Sequence, residues 1–144
     1  MKKILLPIFI LFATFSFAQK ESWEKIKSLK VAYITEHLDL SSEEAQEFWP
    51  VYNAYEEKRN ALRRKEHVQI KDKIKDADAF SEKEAEKLLG QLIKLEEEQE
   101  ELDKAFLKDV SKVISAKKTL LLMRTEEDFK RQLIKQYRQK RANR

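Results

Sequence analysis

The chain has 144 residues, 39% of them charged and 42% hydrophobic, with a formal net charge of +4. It contains no cysteine, which excludes disulfides, thiol redox chemistry, a Cys-type zinc site and a lipidated cysteine anchor. One glycine and two prolines leave too little turn chemistry for a β-rich fold, so the composition predicts helix throughout.

Met1-Lys2-Lys3 precedes an apolar run from Ile4 to Phe17, interrupted by Pro7, Thr14 and Ser16, and Ser16-Phe17-Ala18 stands just before Gln19. A charged start, an apolar stretch below the ~18 residues of a spanning helix and small residues at −3 and −1 make a secretory signal peptide over 1–18. The exported part, 19–144, reads as a single helical domain in the periplasm, soluble and without a transmembrane segment. Loss of Lys2 and Lys3 leaves 28 basic against 26 acidic side chains, a balance that speaks against a nucleic-acid binder, which needs a surface of one sign.

Trp23, Ile26, Leu29, Tyr33, Ile34 and Leu38 recur at steps of three and four, predicting a first helix over about 22–38. Ser41 with Glu44 forms a capping box that starts a second helix, about 42–75, with a stripe of Ala45, Phe48, Trp49, Tyr52, Tyr55, Leu62, Ile70 and Ile74. Pro50 inside that stripe predicts a bend. Asp76 to Ser81 breaks the period, and Ser81 with Glu84 repeats the box. A third helix, about 82–114, follows with Ala85, Leu88, Leu89, Leu92, Leu95, Leu102, Phe106, Val110 and Val113 inward. Gly90 marks either a close helix contact or a tolerated weak point. A fourth helix, about 116–140, carries Leu120, Leu121, Met123, Phe129, Leu133, Ile134 and Tyr137 and ends in basic residues that complement the helix dipole.

The expected fold is all-α: a long antiparallel hairpin of the second and third helices, two flanking helices, four in total. Two helices of roughly 50 Å each in so short a chain cannot enclose all their apolar surface, which predicts a homodimer or an exposed partner-binding stripe.

The residues offer little chemistry. His37 and His67 lie thirty positions apart with no second ligand at helical spacing, and the run Glu96 to Glu101 lacks calcium-loop geometry, so no metal or cofactor is expected. No nucleophile stands beside a histidine and an orienting acid, and a glycine-rich phosphate loop is impossible, which predicts a non-enzyme. Phe48, Trp49, Tyr52 and Tyr55 are the most distinctive group. They read either as a core contact with the first and fourth helices or as the wall of a groove for a client or partner segment. Arg138, Lys140, Arg141 and Arg144 form a second candidate surface, for an acidic partner or anionic headgroups, or else a solubilising end.

Leu40-Ser41-Ser42-Glu43-Glu44, leading into Phe48-Trp49-Pro50-Val51-Tyr52, resembles the first LTxxQ motif of the periplasmic Spy/CpxP family. Ile114-Ser115-Ala116-Lys117-Lys118 resembles the second more weakly. Ser stands for Thr in both, and Glu44 and Lys118 occupy the Gln positions. Chains with a similar Phe-Trp-Pro-Val-Tyr segment are also labelled sensors of ECF-type sigma factors. The resemblance implies a cradle-like helical dimer that binds unfolded envelope proteins without ATP. It equally accommodates a regulatory protein docking on an envelope-stress or sigma-factor signalling domain. Relatives that sense metals do so through histidines, for which this chain has no matching cluster, so a metal-binding sensor ranks behind the other two readings.

Overall fold

The structure, a computed structural model, describes residues 23–143. Residues 1–18, read above as a signal peptide, and Arg144 lie outside the described residues. Helices account for nearly all of the rest: α1 over 23–38, α2 Ser42–Glu66, α3 Asp72–Ile74, α4 Glu82–Val113 and α5 Ala116–Ala142, with no strand among the described residues. A π-helical turn, His67–Lys71, joins α2 to α3, so the described residues form four continuous helical stretches, with a 3-10 turn, Ala77–Ala79, before α4. The all-α expectation holds. None of these helices is long and apolar enough to cross a membrane.

Local chemistry sets the boundaries. Both capping boxes form: the Ser41 hydroxyl accepts from the Glu44 N–H while the Glu44 carboxylate accepts from the Ser41 N–H, and Ser81 and Glu84 repeat the exchange. Each satisfies two N–H groups that a helix start leaves without an internal acceptor. A helix that reverses direction commonly ends on a left-handed residue, and glycine is the easy choice. With the one glycine at position 90, Asp39 (φ 48°) follows α1 and Ser115 (φ 42°) follows α4 in that conformation.

The chain divides into two compact units. Residues 40–120 form one, and α1 with the chain from Leu121 onward forms the other. In the first, α2 and α4 pair antiparallel. Tyr52 meets Phe106, Tyr55 meets Asp103, and Lys65 meets Glu98, so residue numbers rise along one helix as they fall along the other. In the second unit they rise together: Lys30 pairs with Glu126 at 3.5 Å, and Tyr33 packs on Phe129 and accepts from Gln132 at 3.2 Å. There α1 and α5 run parallel. Each unit closes its own two-helix seam, which is why one chain supports two cores.

The second predicted helix is shorter in α geometry than its stripe implied. Residues 48, 52, 55, 59, 62 and 66, at alternating steps of four and three, are all at least partly buried, and the next such step would place Gln69 inward. The wider π winding instead brings Ile70 onto the seam, where it is fully enclosed. Pro50 does not end α2, whose buried residues Phe48, Tyr52 and Tyr55 flank it in phase.

Other inward assignments fail. Trp23, Leu29, Ile74, Leu89, Leu120, Met123, Ile134 and Tyr137 are exposed, while Thr119, Leu122 and Thr125 provide the buried row of α5. A two-helix seam uses only a narrow strip of each helix, so apolar residues one step off it stay in water. The Gly90 alternative is also decided, since a Cβ at that position would meet nothing within 4 Å. No close helix contact requires it.

Candidate functional site

The aromatic group is built by α2 and closed by α4. Phe48, Trp49 and Tyr52 contact one another with ring centroids 4.9–5.4 Å apart. From α4, Phe106 lies edge-on to Tyr52 at 6.0 Å and flat against Tyr55 at 3.9 Å. The Tyr55 hydroxyl donates to Asp103 Oδ1 at 2.7 Å, and the Arg59 guanidinium sits 5.7 Å over the Tyr55 ring. The rings therefore meet the third predicted helix.

Burial separates the four candidates. Phe48, Tyr52 and Tyr55 are buried, whereas Trp49, turned about 100° from Phe48, is only partly buried. Side chains this deeply buried offer another molecule little surface unless the helices part. Trp49 alone of the group is only partly buried.

A second feature, missed in the sequence, joins the two helix-start motifs. Lys118 Nζ donates to Glu44 Oε2 at 2.6 Å, the same oxygen that takes the Ser41 N–H. The Lys118 ammonium and then the Ser41 N–H hold the Glu44 carboxyl below its ordinary value. At the second motif the Ser115 hydroxyl accepts from the Lys118 N–H at 3.2 Å, and Thr119 Oγ1 donates to the Ser115 carbonyl at 2.9 Å. Its signal was available: equivalent motif positions carry opposite charges, Glu44 and Lys118. Spacing alone does not say that they meet.

Arg138, Lys140 and Arg141 are exposed on the last turns of α5, and Arg144 lies outside the described residues. Both histidines are held locally. His37 Nδ1 donates to the Tyr33 carbonyl at 2.8 Å and its ring stacks on Tyr33, while His67 Nε2 lies 3.8 Å from Asp72. Among the described residues no group of three or more His, Asp or Glu is arranged to hold a metal ion. The acidic run of α4 is partly paired, Glu98 with Lys65 and Glu100 with Lys104. A shallow cleft of about 240 Å³ near the hairpin turn is lined by Lys73, Phe80, Glu84, Lys87, Leu88 and Gln91, and contains no nucleophile–base pair.

No protein-family model, characterised protein or solved structure matches this chain. What the arrangement offers chemically is surface: a half-open tryptophan on an aromatic core, a basic helix end, and apolar side chains standing among charges.

Proposed function

We propose that this chain is a Spy/CpxP-like periplasmic protein that, as a homodimer, captures partly unfolded envelope proteins without nucleotide. The observation that carries the reading is the exposure, among the described residues, of ten large apolar side chains, each at least 43% accessible, on helices otherwise covered in charge. Scattered apolar residues give weak contacts for the exposed core of a client, and flanking charges of both signs speed encounter. Trp49 is the contact residue of first choice, because its ring packs on Phe48 and Tyr52 while the residue stays only partly buried. The joined motifs, with Glu44 and Lys118 at the two Gln positions, lend the family reading support.

The test is light scattering from an aggregating, unrelated protein at several ratios of the processed chain, without nucleotide, at low and moderate salt. Suppression that weakens with salt is expected, as is a weaker effect from Trp49→Ala at unchanged helicity. No suppression at any ratio would reject capture.

A second reading has its own observation: exposed Arg138, Lys140 and Arg141 have no ion-pair partner among the described residues. They suit a dedicated acidic signalling domain. A pulldown of one envelope protein, lost on deleting residues 138–144, would favour that reading.

A further inference from the structure

The exposed faces of α4 and α5 have matching form and opposite charge. On α4, Glu86, Leu89, Ile93 and Glu96 follow one another at steps of three, four and three, and all four are exposed. At 100° per residue they share a strip about 80° wide, turned roughly 120–140° from the buried Leu95 and Phe106. On α5, Lys130, Ile134, Tyr137 and Arg141 follow at steps of four, three and four, also exposed, in a strip about 60° wide whose middle lies roughly 90–110° round from Leu122 and Phe129. These are interrupted coiled-coil seams: an apolar pair bracketed by two acids on α4, and an apolar pair bracketed by two bases on α5.

None of the four bracketing charges, Glu86, Glu96, Lys130 and Arg141, has an ion-pair partner among the described residues. Leu89 and Tyr137 are more than half exposed, so among the described residues each seam stands open in its own unit. The lysines of this part of α4, Lys83, Lys87 and Lys94, lie about 120–160° from Leu89 and leave the strip acidic.

We infer that the outer seam of α4 binds the outer seam of α5 from a second copy of this chain. The match survives either helix direction. Antiparallel, Leu89 and Ile93 face Tyr137 and Ile134 while Glu86 faces Arg141 and Glu96 faces Lys130; parallel, the apolar pairs still meet and the ion pairs exchange partners. Two copies of one seam would instead set like charges together, which destabilises a coiled coil. The contact is small and charge-bracketed, so association is weak and salt-sensitive. The inference rests on the homodimer in the reading above and assigns its surfaces.

The experiment is sedimentation velocity of the processed chain across concentration and salt, with two reversals. One carries Glu86→Lys with Glu96→Lys, the other Lys130→Glu with Arg141→Glu, each checked for helicity by circular dichroism. The native chain should self-associate and dissociate as salt rises. Each reversal alone should be monomeric, and an equimolar mixture of the two should associate again, because acid then faces base across copies.

A native chain that is monomeric at every concentration overturns both the homodimer and this assignment. Native association that persists in both reversals overturns the assignment and leaves the homodimer standing. Loss in each reversal without recovery in the mixture overturns the pairing of the two seams. Should a reversal lose helicity, Leu89→Gln with Ile93→Gln puts the same question to the apolar pair, and undiminished association by that variant rejects it.

Discussion

Glu44 caps α2 and binds Lys118 through one carboxylate oxygen, so its charge joins a helix start to the second motif. A carboxyl held below its ordinary value, near 4.5 for glutamate, contributes stability that is fully present above that value and is lost as pH falls through the lower folded one. Glu84 behaves alike, held down by the Ser81 hydroxyl and N–H. Thermal melts should therefore be insensitive to these groups near neutrality and fall as pH drops below about 4.5. Glu44→Gln should flatten part of that fall, and Lys118→Gln added to it should restore a neutral hydrogen bond at the positions where the resembled family has glutamines. The neighbouring aromatics differ by burial. Phe48→Ala removes a fully enclosed ring and should destabilise by about 3–5 kcal/mol. Trp49→Ala, at a half-open ring, should cost about 1–2 kcal/mol and leave a folded protein for binding assays. Chemical denaturation of the two variants checks the contrast. An equal loss would mean that Trp49 is as much a core residue as Phe48.

At the scale of the element, Gly90 and Ser81 give opposite predictions. Gly90 lies inside α4 with open space around it, so Gly90→Ala should stabilise by about 0.5–1 kcal/mol, read as a rise in melting temperature. Ser81→Ala removes the acceptor for the Glu84 N–H and should cost about 1 kcal/mol. Such local features were legible in the sequence: both capping boxes stand where Ser and Glu three apart placed them, and the break at 76–81 falls where the period fails. The π turn was not, because the pattern shows only that Ile70 is apolar, and the cost of rewinding one turn to bury it depends on α4 opposite. Nor was the inward row of α5. Thr119 and Thr125 are polar yet buried, whereas Leu120 beside Thr119 is the most exposed of the large apolar residues. Periodicity identifies a helix and a face width; the opposing helix decides which strip of that width is covered. The aromatic group was visible as a cluster for the same reason that its roles were not, since Phe106 and Asp103, which close it, come from another helix.

Across the whole molecule, protection from exchange should follow the two seams. Residues 48–62 of α2 and 95–110 of α4 face each other through buried rings, so their amides should exchange most slowly within the hairpin unit. The turn at 75–81 and the end of α5 should exchange fastest, for different reasons. In the turn, a few backbone hydrogen bonds bridge single residues. In α5, every described residue from Ile134 onward is exposed, so its last turns are helix without a packed face. Isolated helices of that length are marginal in water, and dipole complementation by Lys140 and Arg141 adds only a fraction of a kcal/mol per charge. If a second copy covers Ile134 and Tyr137, that same stretch should gain protection as protein concentration rises, together with residues around Leu89 and Ile93 and with no change at the buried seams. Hydrogen exchange at two concentrations makes the comparison. A concentration-dependent gain confined to 86–96 and 130–141 would tie the charge pattern of the outer faces to assembly. A uniform profile would mean that the last turns of α5 fray, and that their basic residues act on whatever anionic surface the chain meets.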